Sequence, residues 1–164
     1  LAALEILKCA GMEETEMLKS LSEFAGVEHR IEFVRNICGI TYINDSKATN
    51  VSSTEVALKS FSCPVILILG GRDKGFPYTP LIPLIMKNVK MIIAIGEAKG
   101  KIYKELSGTD KILLAENLKQ AVWKAKEIAV SGDTVLLSPA CSSYDQFKNY
   151  EERGRVFKNI VGEL

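Results

Sequence analysis

Three polar segments carry the side chains that could do chemistry. Asn44-Asp45-Ser46-Lys47-Ala48-Thr49-Asn50 sets an anion, a cation and hydroxyls close together. Gly70-Gly71-Arg72-Asp73-Lys74-Gly75 adds two cations and a carboxylate behind a glycine turn, and Ser138-Pro139-Ala140-Cys141-Ser142-Ser143 is small and hydroxylated. Lysines for charge, with hydroxyls and backbone amides freed at a helix start for orientation, suit a dicarboxylate or a phosphate. Each segment also has a plain alternative. A loop lysine is usually solvated, Gly-Gly is a turn signal first, and residues 44–50 also read as a solvated loop before a well-capped helix. Three such loops in one chain weigh more than any one.

Other chemistries find no support. Neither G-x-x-x-x-G-K-[ST] nor G-x-G-x-x-G occurs, so no P-loop binds a triphosphate. No histidine follows Ser142 and Ser143, and His29 lies far upstream, so a Ser-His-Asp arrangement is a poor bet. The cysteines at 9, 38, 63 and 141 form no C-x-x-C, and with one histidine a zinc site is improbable. Cys9, Cys38 and Cys63 lie in apolar surroundings and read as reduced core or near-surface thiols, which points to a reducing compartment, the cytoplasm. A net charge of +1 leaves no overall basic excess for nucleic acid, and no apolar run approaches a membrane span. The N-terminus lacks a signal-peptide pattern and an initiator Met, so position 1 is expected not to be the natural start.

The elements that must position these loops follow from hydrophobic periodicity. Residues 1–25 read as two helices, Leu1 to Ala10 and Glu13 to Phe24, the second presenting Met17, Leu18, Leu21 and Phe24. They look like the tail of a preceding domain or an extra cap. Residues 27–30 form a link, and Ile31–Val34 and Ile40–Ile43 form a hairpin around a turn at Asn36–Gly39. A helix over 52–60 follows, with Ser52 and Glu55 at capping-box spacing. The apolar runs Pro64–Leu69 and Lys90–Ile95 read as strands buried on both faces. Further strands fall at 111–114 and 134–137. Helices fall at 81–86, where Pro83 is a candidate kink, at 97–106, at 117–130 and from about Asp145 to the end. Tyr144, Phe147 and Tyr150, near the start of that last helix, read as core or as a pocket wall. Alternation of strand and helix from Ile40 onward predicts an α/β fold with a doubly wound, mostly parallel sheet of about six strands and helices on both faces. In such a sheet the three polar loops would share one edge.

NDSKATN at 44–50 and LSPACSSYDQFKNYEERGRVF at 137–157 resemble the signature of the UDP-N-acetylmuramoyl-L-alanine:D-glutamate ligases, members of the Mur ligase family of bacterial peptidoglycan synthesis. His29-Arg30-Ile31-Glu32 and Leu69 to Gly75 fall in the same order as in that family, and the resemblance covers Phe24 to Leu164. The SKATN and DQFKN strings set the chain apart from ligases that add other amino acids and from folylpolyglutamate synthases.

The resemblance implies the Rossmann-like third domain of a three-domain, cytoplasmic, ATP-dependent ligase. Residues 1–26 would be the last helices of the central ATPase domain and residues 27–164 the C-terminal D-glutamate domain. Thr49, Lys74 and Ser143 match positions that hold D-glutamate. Tyr150 stands where the family often has phenylalanine, with Tyr144 beside the same pocket. Arg30, Asp45 and Lys47, with His29 at the edge, match positions that face ATP when the domains close. The implied partners are D-glutamate, UDP-N-acetylmuramoyl-L-alanine and the missing domains. ATP and Mg2+ would bind mainly outside this chain, which would be inactive alone, with no catalytic residue or metal ligand of its own. Two competing readings are a stand-alone anion- or nucleotide-binding α/β module and a folylpolyglutamate synthase-type domain. A P-loop in the upstream reading frame separates the module from the ligase.

Overall fold

The computed structural model describes residues 2–24 and 26–164. Its centre is a six-stranded sheet. In chain order the strands are β1 (Glu32–Ile37), β2 (Ile40–Asn44), β3 (Val65–Gly70), β4 (Val89–Ile95), β5 (Ile112–Leu114) and β6 (Thr134–Leu137), and in space they lie β1-β2-β6-β3-β4-β5. β1 pairs antiparallel with β2, as the hairpin reading expects, and every other pairing is parallel. The turn is tighter than Asn36–Gly39: β1 runs to Ile37, and only Cys38 and Gly39, both at positive φ, make the reversal.

The helices divide between the two faces. α3 (Val51–Lys59), α4 (Ile82–Asn88) and α5 (Lys99–Leu106) contribute Ala57, Leu58, Ile85, Ile102 and Leu106 to one core, over Leu67, Leu69, Ile92, Ala94 and Leu136 of the sheet. α6 (Leu118–Ile128) and α7 (Tyr150–Gly162) cover the other face, where Leu118, Ala121, Val122, Ala125, Phe157 and Val161 pack on Tyr42, Ile66, Ile68, Ile93, Val135 and Leu137. Successive strand residues point to opposite faces, so strands without polar interruption feed both cores at once. β3 is buried at every position, and burying each such aliphatic side chain contributes about 1.5–3 kcal/mol.

Local starts and stops differ from the sequence reading where a better donor or acceptor intervenes. α3 is capped by Asn50, whose Oδ1 accepts the Ser53 N–H at 2.8 Å, and Ser52 lies inside the first turn. Glu55 pairs with Lys59 and completes no capping box. α7 starts at Tyr150, five residues after Asp145, because Asn149 caps it through the Glu152 N–H and the Asp145 carboxylate accepts the Glu97 N–H beyond β4. Pro83 makes no kink. It sits in the first turn of α4, where the missing N–H has no helical acceptor to serve.

Before the sheet come α1 (Ala2–Cys9) and α2 (Glu14–Glu23). Met17 is buried, but Ile6, Leu18 and Phe24 stay exposed, so the expected stripe is only partly covered. Leu1 and Ala25 lie outside the described residues, as do the side chains of Leu4 and Leu21. All four cysteines are free. Cys9 and Cys38 are exposed, which departs from the apolar setting expected of them, and Cys141 is buried.

Candidate functional site

The chain leaves β2 and β3 toward one face and β6 toward the other. Because β6 lies between β2 and β3, their C-terminal ends form a switch point, where α/β sheets open a crevice for ligands. The three polar loops meet there. The Asp45 N–H donates to the Leu137 carbonyl at 2.8 Å, and the Gly70 N–H to the Pro139 carbonyl at 2.8 Å. The Arg72 N–H donates to the Ser142 carbonyl at 2.9 Å. The Ser138 hydroxyl donates to Asp45 Oδ2 at 2.7 Å, and the Ile31 N–H to Asp45 Oδ1 at 3.2 Å.

Arg30, Asp45, Lys47, Ala48, Ser53 and Val56 line a cavity of about 250 Å³ beside the start of α3. Two cationic side chains and a helix N-terminus at one cavity favour phosphate or carboxylate. Burial pushes the Asp45 carboxyl above its ordinary value of 3.8, while Ser138, the Ile31 N–H and Arg30 pull the other way. His29 does not line this cavity. It is buried, with Nδ1 2.9 Å from Asn44 Nδ2 and its ring edge-on to Tyr150. The Lys47 ammonium lies 5.8 Å from the centroid of the same Tyr150 ring.

Asp45 gives a pH prediction. A carboxyl whose folded pKa is raised holds its proton more tightly in the folded state, so its ionisation above that pKa costs stability. Asp45→Asn is expected to melt higher than wild type at pH 7. The gain should shrink as pH falls through the raised pKa and vanish below 3.8. Melting curves across that range check it, and a gain independent of pH would refute this role for burial.

Thr49, Lys74 and Ser143 stand on the three converging loops, half-buried, exposed and buried respectively. None lines the first cavity, nor a second of about 440 Å³ bordered by Asn50, Val51, Ser52, Glu55, Phe76 and Pro77. Tyr144 is exposed, against the reading of it as core, and Tyr150 is half-buried. The charged neighbours of Lys74 are already engaged. Arg72 pairs with Glu97 at 3.3 Å, and Asp73 accepts from Lys101 at 3.0 Å, from the Gly75 N–H at 3.1 Å and from the Tyr78 hydroxyl at 3.2 Å. Burial opposes ionisation of Asp73, yet these donors hold its carboxyl below the ordinary value. Among the described residues, Lys74 has no partner of its own.

The Tyr78 hydroxyl also lies 2.9 Å from Cys141 Sγ, tying the loop after β3 to the loop after β6. Burial pushes the Cys141 thiol up to about 11, which leaves it a neutral structural thiol. Tyr78 and Ser138 are the tie residues that spacing did not reveal. Cys141 lies 63 positions from Tyr78 and Asp45 lies 93 from Ser138, and the only hint was that Ser138 stands in a polar loop and Tyr78 just past one.

Among the described residues, Glu28, His29 and Glu32 form a cluster that could hold a metal ion. Two observations oppose that use. The Lys158 ammonium lies 2.6 Å from Glu28 and 2.9 Å from Glu32, and Asn44 offers an N–H to His29 Nδ1, which leaves the ring proton on Nε2. With both carboxylates engaged by Lys158 and neither ring nitrogen of His29 free to ligate, the cluster is a salt-bridged latch and does not fit a magnesium site.

Sheet order and switch point define a doubly wound, mostly parallel α/β domain with cationic side chains at one edge. The family described as "Mur ligase, glutamate ligase domain" matches residues 29–141, and the chain belongs to that family. It is 48% identical over its whole length to the UDP-N-acetylmuramoylalanine–D-glutamate ligase of Koribacter versatilis, of which it covers 36%. It is 51% identical over 148 residues to the ligase of the same name from Caldicellulosiruptor saccharolyticus, with 89% of this chain and 33% of that protein covered. The chain thus spans about a third of the length of these relatives. The UDP-N-acetylmuramate-alanine ligase of Thermotoga maritima shares the fold with TM-score 0.67 at 14% identity, over 99% of this chain and 36% of that one. So does the bifunctional folylpolyglutamate synthase/dihydrofolate synthase of Yersinia pestis, solved with AMPPNP and a Mn ion, with TM-score 0.64 at 13% identity, over 92% and 35%. Among the described residues no helix is long and apolar enough to cross a membrane.

Proposed function

We propose that this chain is the amino-acid-binding third of an ATP-dependent ligase that joins D-glutamate to UDP-N-acetylmuramoyl-L-alanine in the bacterial cytoplasm, a step of peptidoglycan synthesis. The observation that carries the reading is its 48% identity, across its whole length, to a ligase named for that reaction. In this reading the edge formed by Thr49, Lys74, Ser143, Tyr144 and Tyr150 receives D-glutamate. The cavity of Arg30, Asp45 and Lys47, with His29 buried behind it, turns toward ATP. Residues 1–26 belong to the preceding domain and residues 27–164 to the glutamate domain.

The reaction is an acyl transfer with balanced parts. The L-alanine carboxylate takes the γ-phosphoryl group of ATP, giving an acyl phosphate and ADP. The D-glutamate amine attacks the acyl carbon, and the tetrahedral intermediate collapses to amide and phosphate. Mg2+, bound mainly outside this chain, would supply charge neutralisation on the phosphates. This chain's share is to bind the two glutamate carboxylates, orient the amine and add fixed positive charge at the edge.

Phosphate release by the longer enzyme tests the reading. It should require both UDP-N-acetylmuramoyl-L-alanine and D-glutamate, and L-glutamate should not replace the latter. Equal rates with L-glutamate, or rates indifferent to either isomer, would overturn it. The 164-residue chain by itself should release no phosphate from ATP with all substrates present, because it contains no P-loop. Turnover by the purified chain would contradict that expectation.

A further inference from the structure

Arg153 is fully buried and, among the described residues, heads the large buried side chains. It rises from α7 through the switch point. Its Nε donates to Ser46 Oγ at 3.0 Å, and its Nη2 donates to the Ser46 carbonyl at 2.8 Å and the Cys141 carbonyl at 3.1 Å. Its Nη1 has no hydrogen-bond partner among the described residues, and a Cβ built on Gly71 would stand 3.1 Å from it. One guanidinium therefore abuts the loops after β2, β3 and β6 together. Among the described residues it has no salt-bridge partner. Burial lowers its pKa to about 10, against the pull of Cys141 and Asp145, so it stays charged at neutral pH.

A buried cation without a counter-ion is a poor stabiliser, and an apolar side chain of similar volume would fill the space at lower desolvation cost. The planar fork does what an apolar side chain cannot: it holds the Ser46 hydroxyl and carbonyl of one loop together with the Cys141 carbonyl of another. Thr49 lies three residues from Ser46, and Ser143 two from Cys141. We propose that Arg153 is a positioning residue that sets the spacing of Thr49, Lys74 and Ser143 for the two carboxylates of the incoming amino acid. The proposal rests on the reading of those loops as the D-glutamate site. A packing clip with no influence on the ligand is the alternative.

The experiment compares Arg153→Lys and Arg153→Ala in the longer enzyme, by steady-state kinetics and by amide exchange. Arg153→Lys keeps the charge and loses the fork. It should raise the KM for D-glutamate about tenfold or more, the cost of a misplaced charged hydrogen bond, while the KM for ATP stays within about twofold. The Ala48, Thr49 and Arg72 amides, which bond within and between these loops, should exchange faster together, with β3 and β4 unchanged. Added guanidinium should restore part of the D-glutamate affinity of Arg153→Ala. If Arg153→Ala does not fold, Ser46→Ala, which removes the Nε acceptor, should shift the same KM in the same direction by a smaller factor. A D-glutamate KM within about twofold of wild type in folded Arg153→Lys would overturn the proposal, and so would equal rises for ATP and D-glutamate. A wild-type enzyme indifferent to D-glutamate overturns the underlying reading instead, and amide exchange then decides the loop tether separately.

Discussion

Lys74→Ala in the longer enzyme is expected to raise the KM for D-glutamate by about tenfold to a hundredfold, with little change in the KM for ATP. Lys74 lies in the loop that follows the Gly70-Gly71 turn, four residues past the end of the fully buried strand β3. Its neighbours are already used: Arg72 faces Glu97, and Asp73 is surrounded by Lys101, Gly75 and Tyr78. Lys74 alone on this loop is an exposed cation without a partner among the described residues. A compact ammonium suits one carboxylate of a dicarboxylate ligand, and a charge-assisted hydrogen bond is worth about 1.5–3 kcal/mol. The internal control is Lys47→Ala. Lys47 lines the cavity with Arg30 and Asp45, so its loss should lower kcat and disturb ATP more than D-glutamate. Steady-state kinetics on both variants decide between a ligand contact and a solvated loop lysine. A D-glutamate KM that moves by less than about twofold in Lys74→Ala removes Lys74 from the site.

Gly70→Ala should lower the melting temperature by roughly 5–20 °C and loosen the site with it. Gly70 ends β3 at φ +120, in register with Ile95 of β4, and an added Cβ would overlap the Ile95 carbonyl oxygen. Backbone can yield only by moving a central strand. Strain at such a φ costs about 1–3 kcal/mol and overpacking a similar amount, together about 2–6 of the roughly 5–15 kcal/mol that hold a domain folded. The Gly70 N–H also donates to Pro139 at the switch point, so displacement there would separate the loops that carry Lys74 and Ser143. Gly100→Ala is the opposite case. Gly100 lies in α5 with no atom near the added methyl, and there alanine should stabilise by about 0.5–1 kcal/mol. Thermal melts of the two variants should move in opposite directions. A Gly70→Ala protein that melts within about 2 °C of wild type would show that the strand end accommodates a methyl.

The alternating strand and helix pattern was legible in the sequence because a buried strand announces itself by composition alone. Val65 to Leu69 is apolar at each position, and the αβ order leaves few sheets to build. The edge to which the polar loops belong was legible for the same reason. The motifs NDSKATN and SPACSSYDQFKN pointed to a family that the match over residues 29–141 bears out.

What the sequence could not decide was which polar residues remain available and which are consumed. Asp73 and Lys74 are adjacent charges in the chain, yet the fold commits one to Lys101 and Tyr78 and leaves the other exposed. Asn50 displaces Ser52 as the helix cap because an extended backbone aims its oxygen at the Ser53 N–H. His29, in a stretch that reads as a link, is buried against Asn44 and Tyr150. Arg153, one charge among several in a helical run, is buried and bonded to the loops after β2 and β6. The Ser138–Asp45 and Arg153–Ser46 bonds join residues 93 and 107 positions apart. Periodicity reports only the face on which a residue lies within its own element. Partners at such separations are chosen by the order of strands in the sheet, which placed β6 between β2 and β3, and that order is a property of the packed chain.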